Sequence, residues 1–267
     1  MQSKSKFENE IVNFRQVGFV IPTLGLELKN LEFAIKSVQL NSCDIKIVVV
    51  SRKSEEVKVL CNKLGVTYII ENRSGLYAAI NQGVDTIIDE CKYFGFLGDD
   101  DSLNPLAVKN LLLKLEDNES VAVFGAISYV DTYGIFLMRN PGYKFAVKTI
   151  GWLPNLIPNI GALISINSWE KLGGYNVELK FASDLDFWIR LKKIGKISSI
   201  KYQIANFRFD KSTLTGGKSS DSLSEAASVR KSHTNGPLRI VKDAWEPLLR
   251  ISGELIRDFK IRRERVK

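Results

Sequence analysis

An apolar run, Tyr93-Phe94-Gly95-Phe96-Leu97, breaks off into Gly98 and three consecutive carboxylates, Asp99, Asp100 and Asp101. A short apolar run bounded by turn residues reads as a buried strand, so the acids fall where that strand leaves the core. Carboxylates packed side by side repel one another and resist desolvation; they persist there when a cation or a proton offsets them. A hard divalent ion suits oxygen ligands. Mg2+ or Mn2+ is typically held by one or two protein carboxylates, with substrate phosphate oxygens in other positions. The alternative is a solvated acidic turn ahead of the next helix, with Pro105 as its first-turn proline. On these residues alone both stand.

The surroundings of this run alternate short apolar segments with helical patterns, as parallel βαβ units do. Residues 17–21 predict a strand stopped by Pro22, and residues 29–40 a helix. Residues 45–50 predict a second strand, 54–64 a helix, and 66–70 a third strand. A helix within 75–91 then leads to the acid-tipped strand, and a helix over 105–115 to an apolar run at 121–125. The expected fold is α/β, an open, mostly parallel sheet flanked by helices. Ligands of such sheets bind beyond the carboxyl ends of the strands, where Thr23, Ser51 and the acids all fall. The second half is less regular: residues 138–158 are rich in aromatics, Gly and Pro, residues 160–166 predict a strand, 169–174 a short helix with a glycine stop, and 185–194 a helix. Residues 210–221 have the composition of a mobile loop. The implied division is an N-terminal extension over 1–16, a first half over 17–125, a second half over 126–220, and a basic helical tail over 221–267.

Composition narrows the classes. No run approaches the roughly 18 apolar residues of a membrane-spanning helix, and the charged N-terminus has no signal-peptide core, so a cytoplasmic location is expected. Cys43, Cys61 and Cys91 are widely spaced with no paired motif for zinc, and read as reduced thiols. The net charge of +8 is concentrated partly in a basic helical stretch over 256–267. That stretch suits peripheral contact with the inner face of a membrane, or equally a solvated helix packed on its own domain. No helix-turn-helix or aromatic-and-basic signature is present, so nucleic acid is not an expected partner.

Three blocks in order carry a family resemblance: Val20-Ile21-Pro22-Thr23-Leu24-Gly25; Ser74-Gly75-Leu76-Tyr77-Ala78-Ala79-Ile80-Asn81-Gln82-Gly83 leading to the acid cluster; and Leu172-Gly173-Gly174-Tyr175 followed by Ala182-Ser183-Asp184-Leu185-Asp186-Phe187-Trp188-Ile189-Arg190-Leu191. Over about residues 17–220 the chain resembles family 2 glycosyltransferases of the GT-A fold. The resemblance implies a Rossmann-like sheet with a C-terminal helical extension. It implies an inverting, metal-dependent transferase moving a sugar from a nucleotide diphosphate sugar to a hydroxyl of a glycan or lipid-linked glycan, in surface polysaccharide biosynthesis. A metal that bridges the diphosphate to a carboxylate would offset the charge of the departing group.

The same resemblance assigns residues. Asp184 matches the catalytic base. Asp100 is the expected direct ligand of Mn2+ or Mg2+, with Asp101 as the second metal-site acid, and Asp99 and Asp100 lie against the donor. Pro22, Thr23, Gly25 and Ser51 would line base and ribose, Arg73 would face the diphosphate, and Tyr77 and Asn81, four apart on one helix face, would divide between site and scaffold. Trp188 and Arg190 would serve packing and salt bridging. His233 reads as a surface residue, or as a phosphate contact, and residues 216–220 as a lid over the donor.

The chain departs from the family pattern at three acids. Gly98 stands where the acid motif often begins, Ser51-Arg52-Lys53 where an acid usually follows the second strand, and Ser183 where Glu usually precedes the base. A GT-A-like binding or assembly module without activity is therefore the rival reading. A phosphotransferase with an Asp nucleophile would need a threonine that Asp99-Asp100-Asp101-Ser102-Leu103 lacks. A nucleotidyltransferase would need a basic glycine-rich loop that Thr23-Leu24-Gly25-Leu26-Glu27 does not form.

Overall fold

The structure, a computed structural model, describes residues 17–41, 44–140, 145–209 and 219–234. Its core is a sheet of nine strands, eight of them in one path. Strands β1 (Val17–Thr23), β2 (Ile45–Ser51), β3 (Thr67–Ile70) and β4 (Tyr93–Phe96) lie in the order β3-β2-β1-β4, all parallel. Helices α1 (Leu28–Gln39), α2 (Glu55–Leu64) and α3 (Leu76–Asp85) connect them. This wing is the βαβ pattern expected from hydrophobic spacing. Every residue of β1 is buried, as a strand covered on both faces requires. In α1 the buried Leu31, Ala34, Ile35 and Val38 recur at the three-and-four spacing of one helical face. Helix α2 starts where Ser54 Oγ accepts the Val57 N–H at 3.3 Å and ends at Gly65, whose φ of +67° suits a residue without Cβ.

One expected boundary moves. Pro22 does not stop β1, which continues to Thr23 with Pro22 opposite Val50. A proline costs a strand only its N–H, and none of this strand's apolar burial is lost at that position.

Beyond β4 the sheet becomes mixed. Strand β8 (Leu163–Ser165) runs antiparallel to both β4 and β6 (Ala122–Val130), and β9 (Ile197–Arg208) runs parallel to β6. Strand β5 (Ser102–Leu103) is antiparallel to β9, and β7 (Phe136–Arg139) pairs with β6 off the main path. Helices α4 (Ala107–Asn118), α5 (Ala146–Thr149), α6 (Ile166–Leu172), α7 (Ser183–Ile194) and α8 (Ser219–Ser232) complete the described elements. The division at 125/126 falls inside β6, so both halves share one sheet. A single cluster of buried side chains runs from Val17 to Val229, with Phe19, Phe94, Phe124, Phe187 and Trp188 among its largest fully buried members.

The longest strand, β9, has no counterpart among the sequence expectations. Its residues alternate poorly because the burial changes along its length, from buried at Ile197 to exposed at Lys201 and buried again at Ile204. The basic stretch over 256–267 and the glycine loop at 216–218 lie outside the described residues. No helix among the described residues is long and apolar enough to cross a membrane.

Candidate active site

The parallel wing delivers the acid turn to the carboxyl end of β1. Thr23 Oγ1 donates a short hydrogen bond to Asp99 Oδ2 and accepts the Gly25 N–H at 2.9 Å. Thr23 thus ties the first loop to the acid cluster. Burial raises the Asp99 pKa above its ordinary value, and the Thr23 hydrogen bond offsets part of that rise.

The three acids separate by environment. Asp101 is only 3% exposed; its Oδ1 accepts the Arg208 N–H at 2.9 Å, and its own N–H donates to Gly98 O at 3.2 Å. Burial, with Asp100 beside it, pushes its pKa well up. One oxygen of the Asp101 carboxylate thus holds β9 to the acid turn. Asp99 and Asp100 are partly exposed. Gly98 explains its own departure from the family pattern. A Cβ there would stand 2.6 Å from Asp101 Oδ2 and 3.2 Å from Asp100 Oδ1, so the folded-back acids occupy the space an acidic side chain would need.

Two further donor-side expectations change. Ser51 is 1% exposed and its hydroxyl donates to Arg52 O at 2.6 Å, so it presents no group to a ligand. The nearby carboxylate belongs instead to Glu71, whose N–H donates to Ser51 O at 2.7 Å and whose Oε1 takes the Arg52 Nε at 3.1 Å. Arg73 reaches Glu178 at 2.8 Å, with both side chains largely exposed. That pair spans the first and second halves of the chain.

Helix α3 carries the link to Asp184. Asn81 is scaffold: its Nδ2 donates to Tyr175 O at 2.9 Å and its Oδ1 accepts the Tyr175 N–H at 3.0 Å. One turn away, the Tyr77 hydroxyl lies 3.2 Å from Phe181 O and 3.3 Å from Asp184 Oδ1. The Tyr77 and Tyr175 rings meet at 5.1 Å, and burial beside Asp184 raises the pKa of both phenols far above the ordinary range.

Asp184 sits in the first turn of α7, not at its N-cap, which is Ala182. Its Oδ2 accepts Asn155 Nδ2 at 2.9 Å. Burial raises its pKa, while Asn155, Tyr77 and backbone N–H groups pull the other way. A carboxylate whose proton affinity is raised by burial is a better proton acceptor than an exposed one. Arg190 closes the constellation from below, with Nε on Asp186 Oδ2 at 2.7 Å, Nη1 on Leu172 O at 2.7 Å and Nη2 on Gly174 O at 2.8 Å. Trp188 is fully buried packing, as expected. His233 is neither a free surface residue nor a phosphate contact here: its Nε2 lies 2.7 Å from Asp186 Oδ1. Asn155 and Asn159, which accepts the Tyr175 hydroxyl at 2.7 Å, were invisible in the sequence. They lie in irregular chain or after it, with no periodic pattern to mark them.

The family model for glycosyl transferase family 2 matches residues 19–166, more than half of the chain. The chain belongs to glycosyl transferase family 2. Among proteins of this family, an uncharacterized glycosyltransferase of Rickettsia prowazekii is 26% identical over 166 residues, covering 58% of this chain and 51% of the relative. One of Rickettsia typhi is 25% identical with the same coverage. The chain thus spans about half the length of the curated relatives it matches. Among solved structures, Staphylococcus aureus TarS residues 1–349 superposes with a TM-score of 0.63 at 16% identity, covering 88% of this chain and 71% of that one. The same protein in complex with UDP-GlcNAc gives a TM-score of 0.62. These likenesses establish the GT-A fold.

In this family-2 chain no group of three or more His, Cys, Asp or Glu side chains converges as a metal cage among the described residues. The acids present fit a divalent ion that comes largely with its substrate. Asp100 is partly exposed and lies between Asp99, which Thr23 holds, and Asp101, which accepts the Arg208 N–H. Mg2+ in such sites is commonly bound by one or two carboxylates plus substrate phosphates.

Proposed function

We propose that the chain is an inverting glycosyltransferase that moves a sugar from a nucleotide diphosphate sugar to a hydroxyl of a glycan or lipid-linked glycan, in surface polysaccharide assembly. The observation that carries the proposal is Asp184: a partly buried carboxylate with raised pKa, held by Tyr77 from the donor wing and Asn155 from the irregular second half. It sits where the two halves meet. Inversion needs a base on the face opposite the leaving diphosphate, within about 2.6–3.2 Å of the acceptor oxygen in the reactive complex, and Asp184 is the partly buried acid that the fold sets apart from the acid turn.

Donor binding falls to the ends of β1 and β4. Thr23 and Gly25 present a fixed loop to nucleoside, Glu71 with Arg52 supplies the polar edge that Ser51 does not, and Asp99 is oriented by Thr23. Asp100 would hold Mn2+ or Mg2+; when bound with the diphosphate, the ion would offset the charge that gathers on the leaving group. The bound UDP-GlcNAc and UDP of the TarS structures make uridine diphosphate sugars the first donors to try.

The test is calorimetric titration of nucleotide diphosphates and their sugars into the full chain, with Mn2+ and then with chelator. Metal-dependent binding that Asp100→Asn abolishes, together with an Asp184→Asn variant that binds donor but does not transfer, is the expected result. Turnover at the wild-type rate in Asp184→Asn would remove the base assignment. Silence across the panel by a folded protein would favour the binding-module reading.

A further inference from the structure

Helix α7 begins without a capping side chain. Its N-cap residue is Ala182, and no side-chain hydrogen bond from that residue closes the helix start. The backbone N–H groups ahead of it are satisfied instead from another helix. Glu225 of α8 accepts the N–H of Phe181 and of Ala182 on Oε1, both at 2.7 Å, and the N–H of Lys180 on Oε2 at 3.1 Å. One carboxylate thereby gathers three consecutive amides. Charge-assisted hydrogen bonds of this kind are short and about twice as strong as neutral ones. The Phe181 carbonyl, between two of these amides, is itself within reach of the Tyr77 hydroxyl. Asp184 follows two residues after Ala182, so the base is held from α8 on one side and from α3 on the other.

A second contact shows that α8 is seated along α7. His233, eight residues beyond Glu225 and so on about the same helical face, meets Asp186 at 2.7 Å and Lys193 Nζ at 3.2 Å. Between them Val229 is buried. The neighbouring Ser183 has a fully buried hydroxyl with no hydrogen-bond partner, so nothing at that position steadies the loop.

We propose that Glu225 is the positioning residue of the base: by fixing the backbone at 180–182 it sets Asp184 for proton abstraction, which makes α8 part of the active site. The inference rests on the reading of Asp184 as base. Its geometry, however, is testable without any transfer reaction.

The experiment compares Glu225→Ala, Glu225→Gln and His233→Ala in the full chain. Amide hydrogen exchange reads the loop directly, and UDP release from UDP-GlcNAc, used as the probe donor with water taking the sugar in place of the acceptor hydroxyl, reads turnover. In Glu225→Ala the amides of Lys180, Phe181 and Ala182 are expected to lose protection. The kcat is expected to fall between about tenfold and a hundredfold, as small displacements of catalytic groups do, with KM for UDP-GlcNAc within about twofold of wild type. Glu225→Gln keeps the shape and one good acceptor oxygen but not the charge, and should fall between. His233→Ala loosens the other end of α8, so it should lower Tm while leaving kcat within about twofold. Unchanged exchange at 180–182 in Glu225→Ala, or equal kcat losses in Glu225→Ala and His233→Ala, would overturn the proposal. If wild type releases no UDP, the donor assignment fails, while the exchange arm still decides whether Glu225 holds the loop.

Discussion

The Tyr77 hydroxyl lies 3.3 Å from Asp184 Oδ1 although 107 residues separate them in the chain. That contact joins the donor wing to the proposed base, and it makes Tyr77 the simplest place to perturb one without the other.

Tyr77→Phe removes only the hydroxyl and keeps the ring against Tyr175. A neutral hydrogen bond contributes about 1 kcal/mol net, so kcat should fall by roughly fivefold with donor affinity unchanged. Steady-state kinetics beside a binding titration would show it; a loss confined to KM would place Tyr77 on the donor instead.

The raised pKa of Asp184 sets two pH dependences. Because burial raises it above the ordinary 3.8, the folded chain holds a proton there more readily than the unfolded chain. Stability therefore falls as pH rises from about 3.8 through the folded value, whereas a base needs the ionised form, so kcat falls as pH drops through that same value. Asp184→Asn removes the penalty. Its amide can donate to Tyr77 Oη, whose proton can turn to Phe181 O, and its oxygen can still accept from Asn155. The variant should be inactive yet at least as stable as wild type at pH 7, with a flatter dependence of stability on pH. Denaturant unfolding across pH 4–8 checks this, and a variant less stable at neutral pH would contradict it.

Asn81→Ala should destabilise without touching the chemistry. It breaks both hydrogen bonds to the Tyr175 backbone, for a loss of about 2–3 kcal/mol. Urea unfolding should show that drop, with donor affinity retained in the fraction that stays folded.

Gly98→Ala tests whether the glycine in the acid turn is structural. Its Cβ would press on an Asp101 carboxylate already fixed by the Arg208 N–H, and overpacking of that kind costs about 1–3 kcal/mol. A variant as stable as wild type, measured by thermal unfolding, would show that the turn can yield.

Much of the parallel wing was legible because each of its strands and helices carries its own signal. The apolar β1, the three-and-four pattern of α1 and the Ser54 cap are local facts, and the structure places them within a residue or two of expectation. The proposed base, Asp184, was legible through the resemblance alone. Its holders were not: Asn155 and Glu225 carry no periodicity, and a carboxylate on α8 looks like any solvated helix residue until the fold brings Lys180, Phe181 and Ala182 to it. Three adjacent acids look equivalent in the sequence, and only burial against β9 distinguishes Asp101, the one turned inward.

The sequence by itself determined the α/β class, the alternation of strands and helices in the parallel wing and the family, because hydrophobic period and motif spacing act over a few residues at a time. Tertiary structure alone decided which acid faces out, which serine is sealed, and which helix holds the base loop. Those outcomes depend on desolvation and on hydrogen bonds between residues some 40 to 110 positions apart, and such partners meet only when the sheet has closed.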